Sequence, residues 1–282
     1  MSEISVIGLG SMGSTLAKTL LSAGHKVTVW NRSQEKSDLL VAEGAKIEAT
    51  IADAVRKSPV ILVCIANYTT TRIIFDADEV LPLLPGRIVV QMSSGTPLEA
   101  IADERWFVEN GAGYLDAAIL GSPKIIGTKE GQILIAGNEN LWKECKTVLG
   151  CLAGNFQYTG IKIDSAKILD LAWLSQRLGY FMGVIQGLLL CEAGGVGLDV
   201  FSATVAVDAR ASMIANTIHT NTFTDPVNTV KVWKEALHHI QIHAKELGTN
   251  SEVLEFIADK FERAKSAGYE EEDLAALIKI FR

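Results

Sequence analysis

The sequence predicts an α/β chain: a doubly wound parallel sheet in the N-terminal half, a long connecting helix, then an all-α C-terminal half. Three observations carry this. Short apolar runs alternate with helical patterns as far as Tyr158. Two of those runs, Val60–Ile65 and Arg87–Met92, are apolar nearly throughout, as strands covered on both faces are. After Asp164 no strand pattern recurs. The boundary falls near residue 160, giving domains 1–160 and 161–282.

Taken in order, Ile4–Gly8 is a β-branched run that enters glycines. Ser14–Ala23 has helical spacing through Leu16, Leu20 and Leu21, and Gly24 stops it. Lys26–Trp30 reads as the second strand and Gln34–Glu43 as the next helix, ended by Gly44. Further strand signals follow at Gly113–Asp116, Gln132–Ala136 and Phe156–Tyr158. Strands alternating with helices imply right-handed βαβ units. Ser165–Glu192 is one long helical pattern, broken by Gly194-Gly195-Val196-Gly197. Later helices are expected at Val200–Ile218, Val227–Leu247, Ser251–Ala267 and Glu271–Ile280.

Composition narrows the partners. The chain has 282 residues, 48% hydrophobic and 21% charged, with a formal net charge of -7. That balance offers no basic face for nucleic acid. The run Gly183–Cys191 is too short to span a bilayer, and glycines interrupt the N-terminal apolar stretch before it can serve as a signal peptide. No membrane partner is expected. Cys64, Cys145, Cys151 and Cys191 match no zinc or redox spacing and read as reduced residues of a cytoplasmic protein.

Gly8-Leu9-Gly10-Ser11-Met12-Gly13 is G-x-G-x-x-G between a strand and a helix, the context that makes it a Rossmann phosphate-binding turn. The first glycine allows the turn, Gly10 lets a pyrophosphate approach the backbone, and Gly13 lets helix and strand pack closely. Helix-start N–H groups then face the phosphates. The end of the second strand selects the cofactor. An NAD site places a carboxylate there for the ribose 2′-hydroxyl. Here Trp30-Asn31-Arg32-Ser33 follows, with Lys36 beyond. Arg32 supplies a guanidinium, Ser33 a hydroxyl and Lys36 a second cation, which suit a 2′-phosphate and hence NADP(H).

Gly8–Gly13, the segment Gly24-His25-Lys26-Val27-Thr28-Val29-Trp30-Asn31-Arg32 and Met92-Ser93-Ser94-Gly95-Thr96-Pro97 together resemble the β-hydroxyacid dehydrogenase superfamily, which is 6-phosphogluconate dehydrogenase-like. Within it the chain is most similar to the imine reductases, a likeness that extends to Gly268–Leu277 and covers essentially the full length. The resemblance implies an NADP-binding Rossmann domain, an interdomain helix and a helical dimerisation domain. It also implies a domain-swapped homodimer with the active site at the domain junction. It adds Cys64, Ile65, Ala66, Ser93, Ser94 and Thr96 to the expected cofactor contacts. Ser94, Leu120, Trp173, Leu174 and Tyr180 are the expected substrate pocket.

Departures from the dehydrogenase pattern bear on the chemistry. The substrate-gripping Ser-Gly-Gly is absent after Asp116-Ala117-Ala118. Aligned on Gly160 and Ser165-Ala166, Asp170 takes the place of the catalytic lysine and Leu174 that of its asparagine partner. Glu235-Ala236 stands where a late Lys-Asp pair is expected. An iminium substrate is a cation, so a carboxylate near its nitrogen is stabilising, most of all in a dry pocket. The apolar setting Ile168-Leu169-Asp170-Leu171 tends to raise a carboxyl pKa. Asp170 is thus the expected proton donor of an NADPH-dependent imine reductase, with Tyr180 a secondary one. The bland alternative makes Asp170 a helix-surface carboxylate paired with Lys167, and Trp173 a core aromatic.

His239 and His243 have metal-ligand spacing, but no glutamate follows His239 in the H-E-x-x-H manner, so no metal is expected. The acidic run Glu270–Asp273 reads as a helix cap. Two other functions remain open: a β-hydroxyacid or small-aldehyde dehydrogenase, and an NADP(H)-binding regulator without turnover.

Overall fold

The computed structural model describes residues 3–33, 39–204 and 209–282. The chain forms two compact units, Met1–Asp170 and Leu171–Arg282. The division falls inside the long helix, so its first turns are counted with the first unit, ten residues beyond the boundary read from the sequence near residue 160.

In the first unit the strands are β1 (Glu3–Ile7), β2 (Lys26–Trp30), β3 (Lys46–Ile47), β4 (Val60–Val63), β5 (Ile88–Gln91), β6 (Gly113–Ile119), β7 (Gln132–Gly137) and β8 (Asn155–Tyr158). They form one sheet of order β3-β2-β1-β4-β5-β6-β7-β8. The order in which strands are added to the sheet reverses between the parallel neighbours β1 and β4, and ligands of such sheets bind beyond the strand C-termini at that switch. The helices of this unit are α1 (Ser11–Ser22), α2 (Ile51–Lys57), α3 (Tyr68–Phe75), α4 (Pro97–Glu109) and α5 (Glu139–Leu149). Strand alternation splits the core into two layers. Val6, Leu62 and Val90 pack with Leu16 and Leu20 on one face. Ile7, Val63 and Val89 pack with Phe75 and Phe107 on the other.

The expected all-parallel sheet needs one correction: β7 runs antiparallel to β6. A parallel crossover takes a dozen or more residues, usually with a helix. The β6–β7 connection contains only the 3-10 turn Pro123–Ile125 and no crossover helix, and the chain turns back to pair antiparallel. Of the helix expected at Gln34–Glu43, residues 34–38 lie outside the described residues, and Leu39–Val41 are helical.

Helix α6 (Ser165–Ala193) runs from the first unit into the second. The second unit continues with α7 (Leu198–Thr204), α8 (Ala209–Thr220), α9 (Val230–Leu247), α10 (Glu252–Ser266) and α11 (Ile278–Phe281). No strand is assigned there among the described residues. The single helix expected over Val200–Ile218 thus corresponds to α7 and α8, with 205–208 outside the described residues. The core of this unit joins Leu178, Phe181 and Ile185 of α6 to Trp233 and Leu237 of α9 and Ile257 and Phe261 of α10. Asp273 caps the 3-10 turn Leu274–Leu277 through the Ala275 N–H. Among the described residues, no helix is long and apolar enough to cross a membrane.

Candidate active site

The site begins where β1 ends. Gly8 has φ +96°, and a Cβ there would lie 2.3 Å from the Cys64 carbonyl oxygen. A Cβ on Gly13 would meet the Gly8 oxygen at 2.0 Å. Both glycines are therefore needed for main-chain packing. Gly10 differs, because nothing lies within 4 Å of its Cβ position. The fold leaves that space for something else. Gly10 is also the N-cap of α1, which has no side-chain cap and no carboxylate in its first turn. Unopposed N–H groups at the positive end of a helix hold anions. The residues present fit a dinucleotide pyrophosphate.

Asn31 ties this turn to the end of β2. Its Oδ1 accepts from the Leu9 N–H at 3.0 Å, and its Nδ2 donates to the Ser33 carbonyl at 2.8 Å. Arg32 follows, exposed and without an ion-pair partner among the described residues. Across the switch, the Ile65 N–H donates to Ser93 Oγ at 3.0 Å, and the Ser93 N–H to Gln91 Oε1 at 3.2 Å. These bonds fix the loops after β4 and β5. The cleft between the loops has a volume of about 920 Å³ and continues to Ala118, Lys167 and Asp170.

Charged groups stand on and behind the cleft wall. Lys167, on the first turn of α6, is 1% exposed. Its Nζ donates to the carbonyls of Ser93 (2.9 Å) and Ala117 (2.7 Å) and lies 3.4 Å from Asp116 Oδ1. Asp116, on β6, is fully buried. Its Oδ2 accepts from the hydroxyls of Tyr68 and Tyr114. Burial raises the Asp116 pKa to about 6 against the opposing pull of Lys167 and Tyr68. Asp170 lies three residues beyond Lys167, on the same helix face. It is half-buried, and desolvation raises its pKa to about 6, with Lys167 opposing and Asp116 adding to the rise. Burial also pushes the Cys64 thiol up to about 11, so it is no nucleophile.

Most of the residues expected at the cofactor line this cleft: Gly8–Gly13, Asn31, Arg32, Cys64, Ile65, Ala66, Ser93 and Ser94. Ser33 and Thr96 are not on its wall. Thr96 caps α4, its Oγ1 accepting from the Glu99 N–H at 3.3 Å. Lys36 lies outside the described residues. Asp170 and Ser94 line the cleft, whereas Leu120 is buried beside it and its neighbours Ile119 and Gly121 form the wall. Trp173, Leu174 and Tyr180 lie in the second unit, with the Arg177 guanidinium 4.3 Å from the Trp173 ring. Leu174 and Tyr180 pack against that unit's core.

Beside Asp170 the cleft also holds a lysine that the sequence reading kept out of the site. Lys167 directly follows the Ser165-Ala166 pair used for alignment, and the helical repeat brings it to the same wall as Asp170. Its signal was a lysine inside the apolar stripe Ile163, Ala166, Leu171, Leu178. Tyr68 and Asp116, 48 residues apart, meet only through the sheet. His243 pairs with Glu246 at 3.4 Å, and no group of metal-binding side chains occurs among the described residues.

Comparison with known proteins matches residues 3–160 to the family model of the NAD binding domain of 6-phosphogluconate dehydrogenase. Residues 163–282 match the C-terminal domain of NADPH-dependent reductive aminase-like proteins. The chain is 29% identical to an NADPH-dependent reductive aminase of Aspergillus oryzae over 290 residues, covering 99% of this chain and 97% of the relative. An imine reductase from Myxococcus stipitatus in complex with NADP+ superposes with a TM-score of 0.71 at 30% identity, over 99% of this chain and 100% of that one. A reductive aminase from Aspergillus terreus, in complex with NADPH4, cyclohexanone and allyl amine, superposes with a TM-score of 0.67 at 28% identity, over 100% and 99% of the two chains.

Proposed function

We infer, from a chain that belongs to the 6-phosphogluconate dehydrogenase NAD-binding family and carries a reductive aminase-like C-terminal domain, an NADPH-dependent reductase acting on the C=N bond of an imine or iminium ion. The observation that carries the reading is Asp170: a carboxyl with its pKa at about 6 on the wall of the cleft that begins at the glycine turn.

NADPH, when bound, supplies the hydride for the imine carbon. The chain's residues do the rest. The first-turn N–H groups of α1 would hold the pyrophosphate, and Arg32 would pair with the 2′-phosphate. Asp170 in its acid form holds a proton for the imine nitrogen, and an acid titrating near the working pH is well matched to that task. In its ionised form Asp170 stabilises an iminium cation already formed. The proton leaves the carboxyl and the nitrogen gains it, so a neutral imine becomes a neutral amine once the hydride is transferred.

A second reading, a β-hydroxyacid dehydrogenase, is favoured by the retained Lys167. Against it, the Lys167 ammonium already serves two carbonyls and faces Asp116, and Ile119-Leu120-Gly121 offers no Ser-Gly-Gly grip for a substrate carboxylate. The four cysteines are free, which supports a cytoplasmic location. The family likeness supports a homodimer.

The test is Asp170→Asn, assayed with NADPH and a neutral cyclic imine. Turnover should fall about 10²–10⁴-fold, the usual contribution of a general acid, with NADPH affinity unchanged. Wild-type turnover would remove Asp170 from the chemistry.

A further inference from the structure

The cleft wall carries one lysine and one carboxyl, Lys167 and Asp170, and a second carboxyl, Asp116, is buried behind it; the three are arranged unequally. Asp116 Oδ2 accepts from Tyr68 and Tyr114, whereas its Oδ1 accepts no hydrogen bond and faces Lys167 Nζ at 3.4 Å. An ammonium has three protons to donate. The Ser93 and Ala117 carbonyls take two from Lys167, and both are uncharged. Asp116 is therefore the charge partner built into the fold. The Tyr68 ring lies 5.7 Å from Lys167 Nζ, and a Cβ on Gly95 would reach within 2.3 Å of that ring. Gly95 thus lets the ring pack flush beneath the Ser93–Thr96 loop.

Each group in this set changes the others' ionisation. Around Asp116 stand Tyr68 on α3, Tyr114 on β6 and Lys167 on α6, with Asp103 acting on both tyrosines from α4. Around Asp170 stand Lys167 and Asp116. Cys64 also feels Lys167 but stays neutral. An ionised Asp116 offsets the charge of Lys167 and raises the Asp170 pKa, whereas Lys167 pulls it down. Without the Asp116 charge, Asp170 would face a bare buried cation and give the proton up.

We propose that Asp116 is a positioning residue: supported by Tyr68 and Tyr114, it claims the charge of Lys167 and so reserves Asp170 as the proton-holding carboxyl of the cleft. The proposal rests on the reading of Asp170 as the proton donor. Two consequences follow. Lys167 is withheld from substrate although it lines the cleft, and the site presents no net positive charge to an iminium ion.

The test compares kcat/KM against pH for a neutral cyclic imine at saturating NADPH, in wild type and in Asp116→Asn, Tyr68→Phe, Lys167→Met and Asp170→Asn. The Asp170 carboxyl is titrated alongside by 13C NMR in the ligand-free proteins. Wild-type activity should fall as pH rises through a limb that Asp170→Asn lacks. Asp116→Asn should move that limb down by about one pH unit, or about tenfold in rate on the alkaline side. Tyr68→Phe, which removes one donor from the Asp116 carboxylate, should move it the same way by less. Lys167→Met should move it up. NADPH affinity should not change in Asp116→Asn. A merely structural role would lower stability without moving the limb in opposite directions. If Asp170→Asn loses the limb while the Asp116→Asn and Tyr68→Phe limbs superpose on wild type, the inference is overturned and the Asp170 reading stands. A limb that persists in Asp170→Asn overturns both. Should Asp116→Asn fail to fold, Tyr68→Phe and the carboxyl titration decide.

Discussion

Substituting alanine at Gly10 and at Gly13 should produce opposite phenotypes from the same methyl group. At Gly10 the backbone has φ -65° and ψ -177°, which any residue adopts, and nothing lies within 4 Å of the new Cβ. Alanine is a poorer N-cap than glycine by about 0.5 kcal/mol. The reduced freedom of the unfolded chain returns about 0.4–1 kcal/mol. The net change in stability is near zero. The methyl instead occupies the space left for the pyrophosphate, so NADPH affinity should fall at least about tenfold, or 1.4 kcal/mol. At Gly13 the new Cβ would stand 2.0 Å from the Gly8 oxygen, a main-chain atom that cannot rotate away. Overpacking of this kind costs about 1–3 kcal/mol, which lowers Tm by roughly 2–4 °C per kcal/mol in a domain of this size. Thermal melts of the ligand-free proteins and fluorescence titration with NADPH read both quantities. Wild-type NADPH affinity in Gly10→Ala would refute the assignment of the phosphate to this turn. A wild-type melt in Gly13→Ala would refute the packing argument.

Three further outcomes are expected. Arg32→Glu should weaken NADPH by roughly tenfold or more and leave NADH nearly unaffected, as paired titrations would show; equal losses for both cofactors would contradict a 2′-phosphate contact. Asp170→Asn should be more stable than wild type above pH 6. The folded carboxyl has its pKa raised from 3.8 to about 6, so its desolvation penalty is fully present above the folded pKa and absent below the unfolded one. Melts across pH should therefore show the gain vanish below about pH 4; a constant gain would point to another cause. The active species should be a homodimer, and sedimentation showing an active monomer at assay concentration would refute this.

The parts legible in the sequence are those whose physics is local. The glycine turn was readable because strand, glycine spacing and helix occur consecutively. Likewise, the buried strands β4 and β5 announced themselves as continuous apolar runs. The direction of β7 is not visible in its residues, which read alike either way, and the helix-free connection after Ile119 is the feature that goes with its reversal. Helices α2 to α5 were only implied by the alternation of the chain, since most of their apolar stripes span few turns. Asp170 stood out through its apolar neighbours. Lys167 did not, because one lysine in a helix reads as a surface residue, and its burial depends on the Ser93 and Ala117 carbonyls that only the folded sheet brings to it. The Tyr68–Asp116 contact joins the start of α3 to the middle of β6, so its meaning exists only once the sheet has formed.

The most direct test of the account is the reaction itself. The purified full chain should oxidise NADPH in the presence of a cyclic imine and release the amine, while NADP+ with β-hydroxyacids should give little or no reduction. Robust hydroxyacid oxidation with no imine turnover would contradict the account and hand the site to Lys167. Tight NADPH binding with turnover of neither substrate would contradict it as well, and leave a cofactor-binding regulator.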